Sequence, residues 1–199
     1  MVLLKGTVGA GKTTFAHALQ NVIQTVYNGV CIVEGTDKYC KNGVSTSQAV
    51  NFVKSELQRA LTLDKQQLVV VVIDCCNERQ GAIFDTRFDG WKIVPYFVNF
   101  IPESLNEYLA WSLRNVLRRN KPGADDMFYL NPATATVKTC IDVHRKKANA
   151  LFGAIPANMN NLTPVNALVN IDPLATNYAA KLIPVDEAVN RFVTKEILK

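Results

Sequence analysis

Hydrophobic positions along the chain change their period repeatedly, and each change marks an element. Residues 2–4 form a short apolar run that stops at a glycine-rich stretch, 6–11. From Thr13 the spacing becomes helical: Phe15, Ala18, Leu19, Val22, Ile23 and Val26 recur on one face, as in an amphipathic helix laid on a core. Tyr27-Asn28-Gly29 supplies a left-handed stop. Residues 30–33 read as a second buried strand, followed by a polar segment, 34–38. A helix is expected over about 47–61, with Val50, Val53, Leu57 and Leu61 facing inward. Residues 68–73 are a continuous, mostly β-branched run, the signature of a strand covered on both faces. Further on, the pattern predicts a fourth strand over 91–100 and a helix over 102–119 opening on Pro-Glu-Ser. It then predicts a helix over 142–152, a short strand over 168–171 and a closing helix over 185–198. Residues 120–138 carry the weakest pattern and read as a loop.

Strands alternating with helices need crossover connections, so the expected fold class is α/β, with a parallel sheet sandwiched between helices. A chain of 199 residues is long enough for one core, and a single domain over 1–199 is expected. Its first strand starts almost at residue 1, which suggests a domain taken from a longer multidomain protein. With 48% hydrophobic and 20% charged residues, the composition excludes collagen-like, coiled-coil and disordered classes. The longest apolar run, 68–73, is far short of the roughly 20 residues of a membrane-spanning helix, and no leader is legible at the start, so no membrane role is expected. Lys and Arg total 22 against 17 acids, leaving +5. That excess suits an anionic substrate. The five cysteines, Cys31, Cys40, Cys75, Cys76 and Cys140, include no CxxC pair. Reduced thiols with packing roles, in an intracellular (cytoplasmic or nuclear) compartment, fit better than a disulfide or zinc framework. His17 and His144 are too few for a metal cluster, and His17, in an apolar helical stretch, reads as structural.

Gly6-Thr7-Val8-Gly9-Ala10-Gly11-Lys12-Thr13 satisfies GxxxxGK[ST] without a mismatch, after an apolar strand and before an amphipathic helix. This is the phosphate loop of the P-loop NTPase fold. Glycines let successive N–H groups turn inward as an anion nest, and the following helix adds its positive end. Gly9, Ala10, Gly11, Lys12, Thr13 and Thr14 are thus the candidate nucleotide-binding residues. Lys12 is expected on the β and γ phosphates and the Thr13 hydroxyl on Mg2+. The competing reading is a glycine-rich strand-to-helix turn with no ligand.

Phosphate binding does not name the reaction. No guanine-reading NKxD motif occurs, and the third strand ends Asp74-Cys75-Cys76-Asn77-Glu78-Arg79 rather than in the paired acids of motors. Asp74 is placed where a carboxylate supporting magnesium is expected. Asp37, just beyond the second strand, lies where open α/β sheets bind ligands. A carboxylate there can take a hydroxyl proton as the γ-phosphoryl departs, although an aspartate at such a place also forms turns or caps helices. Arg114, Arg118 and Arg119 fall near one another on the helix over 102–119, as charge-neutralising arginines of a helical lid or as a solvated face. Arg145, Lys146 and Lys147 form a second basic run suited to a phosphate backbone or to solvent. Tyr108, Trp111, Phe128 and Tyr129 are available for base stacking, with Tyr108 and Trp111 better placed in a core.

Together, Gly9-Ala10-Gly11-Lys12-Thr13-Thr14, Asp37, and Asp74-Cys75-Cys76-Asn77 resemble the P-loop polynucleotide 5′-hydroxyl kinase family, and most closely the kinase domain of fungal-type tRNA ligases. The segment 97–119 is similar to that family's strand, Pro-Glu helix and arginine-bearing lid, and the order of the last strand and helix is similar too. The resemblance implies a kinase that uses ATP or GTP, with a lean to GTP, and Mg2+ to phosphorylate the 5′-OH end of RNA in repair or tRNA splicing. It implies Asp37 as general base, Lys12, Arg118 and Arg119 as catalytic cations, Thr13 and Asp74 at the metal, and Lys38, Asn77, Arg79 and Arg114 on the acceptor side. One departure stands out: lysine, in Lys38, follows the base where the family often has arginine, and lysine lacks arginine's bidentate fork. A small-molecule kinase acting on a nucleoside, nucleotide or sugar, and a non-catalytic nucleotide-binding module, are the alternative readings.

Overall fold

The computed structural model describes residues 1–40, 44–63, 67–75, 83, 91–119, 144, 147–148, 151 and 177–199. The expected strand over 168–171, the loop over 120–138, and Asn77, Arg79, Cys76, Cys140, Phe128, Tyr129, Arg145 and Lys146 lie outside the described residues. The helix expected over 142–152 is described only at His144, Lys147, Ala148 and Leu151, all helical.

In chain order the elements are β1 (Val2–Lys5), α1 (Lys12–Thr25), β2 (Val30–Glu34), α2 (Thr36–Cys40), α3 (Thr46–Leu61), β3 (Val69–Ile73) and β4 (Val94–Phe97). A 3-10 turn, Pro102–Ser104, leads into α4 (Leu105–Arg119). After a second such turn, Tyr178–Lys181, α5 (Val185–Phe192) continues as a π-helical segment, Val193–Ile197. These elements group into two compact units. One comprises Met1–Lys5, Lys12–Val98 and Ile183–Lys199; the other comprises Gly6–Gly11 and Asn99–Leu182.

The first unit is α/β: four parallel strands in the order β2-β3-β1-β4, with helices on both faces. Strand alternation decides which residue serves which face. Val2, Leu4, Val70 and Val72 meet Phe15, Ala16, Leu19 and Ile23 of α1 and Ala188, Val189 and Phe192 of α5. Their neighbours Leu3, Val71 and Ile73 turn the other way onto Val50, Val53, Leu57 and Ala60 of α3. Burial on both sides is why residues 68–73 show no polar alternation. Phe15 stacks on Tyr96 at 4.5 Å between ring centres, and Phe192 closes on both rings. Pro95, which has no N–H to give, sits in β4 at the edge of the described sheet, where the loss is tolerated.

Several boundaries differ from expectation for local reasons. The left-handed residue after α1 is Asn28 (φ 48°), and the Gly29 N–H bonds back to the Ile23 carbonyl. Helix α3 starts at Thr46 because Ser45 and Gln48 form a reciprocal capping box. Helix α4 is preceded by 3-10 geometry at Pro102. His17 is exposed on α1 rather than packed. Tyr108 is buried, as expected of a core residue, and Trp111 packs against the same cluster.

Cys31, Cys40 and Cys75 are buried and form no disulfide among the described residues, in keeping with packing roles. Burial pushes the Cys31 thiol up to about 12 from a usual value of 9.0. An unfolded chain ionises this thiol from about pH 9 while the folded chain does not, so the thiol's effect is a loss of stability as pH rises from 9 towards 12. Chemical denaturation at pH 8, 9.5 and 11 checks this: Cys31→Ala should lose less stability with pH than the parent chain. Parallel curves would remove the account.

Candidate functional site

In the first unit the chemistry gathers at the carboxyl ends of β2 and β3. Thr13, in the first turn of α1, donates its hydroxyl to Asp74 Oδ2 at 2.6 Å. A hydroxyl on an ionised carboxylate is among the stronger hydrogen bonds. Asp74 follows β3, and its N–H bonds to the Glu34 carbonyl at 2.8 Å, extending the β2–β3 ladder by one rung. The strands meet so closely there that a Cβ on Gly35 would stand 2.0 Å from the Asp74 carbonyl oxygen.

Glu34 reads in the sequence only as the start of a polar segment, and the structure makes it the acid around which α2 is built. It is the last residue of β2 and only 3% exposed. A buried carboxylate must be paired. Here Lys38 Nζ lies 2.9 Å from Oε1, and the Tyr39 hydroxyl donates to Oε2 at 3.0 Å. These contacts fold residues 36–40 into α2, a helix too short to stand alone. The hydrogen bond to Glu34 holds the Lys38 ammonium above its usual range, and burial, followed by the bond to Glu34, raises the Tyr39 hydroxyl. Lys38 is thus paired with Glu34 while remaining 59% exposed on its side chain. Asp37, one residue before Lys38 in α2, is exposed. Lys12 is half-buried, and Thr13 and Thr14 are exposed.

In the second unit the glycine loop carries positive φ at Gly6 (146°), Gly9 (84°) and Gly11 (87°). Gly9 is also held by space, since a Cβ there would lie 2.3 Å from the Ser112 carbonyl oxygen. Side chains from the later part of the chain grip the loop backbone. The Tyr108 hydroxyl accepts from the Thr7 N–H (3.0 Å), Asn115 Nδ2 donates to the Gly9 carbonyl (3.0 Å), and Asn99 Nδ2 donates to the Ala10 carbonyl (3.0 Å). Burial raises the Tyr108 hydroxyl, so it stays protonated. Ala10 itself packs among Tyr108, Leu109, Leu113 and Tyr178. On α4, Arg114 is half-buried, its Nε without a hydrogen-bond partner among the described residues, and Arg118 is exposed. Ser112 and His144, both buried, share a hydrogen bond of 2.9 Å.

The structure thus brings Thr13 and Asp74 together and ties Lys38 to Glu34; Asp37 and Arg118 are exposed. Sequence reasoning missed Glu34, Tyr39, Asn99, Asn115 and Tyr178. Of these only Glu34 carried a signal, as an acid closing the apolar run Val30-Cys31-Ile32-Val33. In the first unit an open groove of about 350 Å3, lined by Met1, Ala60, Leu68, Trp91, Val94 and Ile197 among others, lies at the amino ends of the strands, the opposite end from Glu34 and Asp74. Among the described residues, no three His, Cys, Asp or Glu converge as a metal site, and no helix is long and apolar enough to cross a membrane.

No family model matches the chain, and no solved structure matches it. Over 155 residues, 77% of this chain, it is 48% identical to uncharacterized protein L611 of Acanthamoeba polyphaga mimivirus, and the match spans 16% of that protein's length.

Proposed function

We propose that the chain is a phosphotransferase of P-loop fold that moves the γ-phosphate of ATP or GTP onto the 5′-hydroxyl end of RNA. The observation that carries the reading is the complete motif Gly6–Thr13 in strand–loop–helix order, with the Thr13 hydroxyl bonded to the acid that follows β3.

Each residue's part follows from its chemistry. Backbone N–H groups of Gly9 and of Gly11 to Thr14 receive donor phosphates at the positive end of α1, Ala10 contributing the turn that its N–H closes on the Thr7 carbonyl, and Lys12 neutralises charge on the β and γ groups. Thr13 Oγ1 and the Asp74 carboxylate are hard oxygens held side by side by their hydrogen bond, the donor type that Mg2+ takes. They would hold Mg2+, whose chemistry is to screen the phosphate charge. Asp37 accepts the proton of the 5′-hydroxyl as its oxygen bonds to the γ-phosphorus and the bond to the β–γ bridging oxygen breaks. Arg118 and Arg119 of α4, as part of a helical lid, meet the charge of the transferring group. Arg114, Asn77, Arg79 and Lys38 serve the acceptor side, Lys38 with its charge already shared with Glu34.

A panel of acceptors with γ-labelled ATP and GTP tests the reading. Label on a 5′-OH oligoribonucleotide is the expected outcome. Label confined to nucleosides, nucleotides or sugars means a small-molecule kinase instead, and no label on any acceptor means a binding module.

A further inference from the structure

Fixing one carbonyl of a planar trans peptide fixes the N–H across it, because the two point in opposite directions. The peptide joining Ala10 to Gly11 has its carbonyl held by Asn99 Nδ2 at 3.0 Å. Its N–H, on Gly11, has no acceptor among the described residues and faces away from that carboxamide. The preceding peptide is spent on both sides: the Gly9 carbonyl takes Asn115 Nδ2, and the Ala10 N–H bonds to the Thr7 carbonyl at 3.2 Å. Asn99 is itself held in an unusual state. Its φ is 54°, left-handed backbone that costs free energy for a residue with a Cβ, and such strain persists where surrounding contacts enforce it. Those contacts are visible. The buried Tyr178 hydroxyl donates to the Asn99 carbonyl at 2.7 Å and accepts from the Ile101 N–H at 2.9 Å. The turn bearing Tyr178 is pinned by Lys181 on Glu107 and Ser104.

We propose that Asn99 is a positioning residue for donor phosphate: braced by Tyr178, it holds the Ala10–Gly11 peptide so that the Gly11 N–H is aimed before the phosphate arrives. The proposal rests on the reading of Gly6–Thr13 as a phosphate loop and adds what sets its shape. An anion nest made of glycines is flexible by composition, and each N–H that must be reoriented on binding subtracts from affinity. Asn99 removes that cost for Gly11. Because the effect acts on phosphate and not on the base, it is felt by inorganic tripolyphosphate as much as by a nucleotide.

Two substitutions separate aiming from folding. Asn99→Gly relieves the left-handed backbone and deletes the donor. Asn99→Asp keeps the size and the tolerance of positive φ but presents a carboxylate, which cannot donate, to the Ala10 carbonyl. Calorimetric titration of the whole chain with Mg2+ and tripolyphosphate, then with ATP and GTP, reads the effect. Expected are a melting temperature close to that of the parent for at least one variant and, in that variant, a Kd weaker by about three- to tenfold for tripolyphosphate and nucleotide alike, the worth of one hydrogen bond. Unchanged affinity in a folded variant overturns the proposal and leaves the phosphate loop standing. Absence of any triphosphate binding by the parent chain overturns both. Loss of the fold in both variants also overturns it, because the carboxamide would then hold the unit together instead of aiming a peptide.

Discussion

Lys12→Ala is expected to abolish phosphoryl transfer and leave the fold in place. Lys12 is the first residue of α1, half-buried, and absent from the apolar clusters that hold the helix on the sheet through Phe15, Ala16, Leu19 and Ile23. Its removal therefore takes away charge rather than packing. A cation meeting a transferring phosphoryl group is worth on the order of 10³-fold or more in rate, because that charge develops in a site where water is a poor substitute. Its effect on stability should stay within about 0.5 kcal/mol, the usual range for a substitution outside the core. Single-turnover transfer assays and a melting curve on the same preparation check both halves. Near-normal turnover in the folded variant would remove the phosphate-loop assignment.

The largest expected effect on stability belongs to Gly35→Ala. Gly35 links β2 to α2, and its missing side chain is what lets the chain pass the Asp74 carbonyl. A Cβ 2.0 Å from that oxygen meets Asp74 backbone and no side chain, so no rotamer change relieves it. Ends of β2 and β3 must separate, stretching the bond from the Asp74 N–H to the Glu34 carbonyl and displacing the carboxylate that holds Thr13. Overpacking of this kind against backbone costs about 3 kcal/mol, the upper end of the usual range. For a chain of this size that is a fall in melting temperature of roughly 10 °C. A change under about 2 °C would show that the strand ends yield more easily than their ladder suggests.

How much of this was legible beforehand depends on how local each signal is. β1 to β3 and the inner faces of α1 and α3, apart from Val26, which lies beyond α1 and is exposed, could be read because burial repeats within a few residues: Val70 and Val72 serve one face, Val71 and Ile73 the other, so the run is unbroken. The motif Gly6–Thr13 was legible because its glycines and its lysine are contiguous. Helix α2 was not, since residues 36–40 have no helical signal of their own and are held by Lys38 and Tyr39 reaching back to Glu34. Asn99, Asn115 and Tyr178 were invisible for a different reason. Their partners in the loop or near it lie 77 to 106 residues away in sequence, and an asparagine that grips a carbonyl reads the same as one facing water.

Asp37 carries the part of the account that separates a 5′-hydroxyl kinase from any other use of a phosphate loop. It is exposed at the start of α2, whose position Glu34 secures. Asp37→Asn keeps shape and hydrogen-bonding reach but cannot accept a proton. If Asp37 only formed a turn or capped α2, asparagine would be among its best replacements. The deciding measurement is single-turnover transfer from saturating donor nucleotide to a 5′-OH oligoribonucleotide, for the parent chain and Asp37→Asn, with nucleotide affinity determined separately. The account predicts transfer by the parent chain, unchanged nucleotide affinity in the variant, and a rate lower by roughly 10²–10⁴-fold, the usual contribution of a general base. Transfer by Asp37→Asn at the parent's rate, with the nucleotide bound, would contradict it.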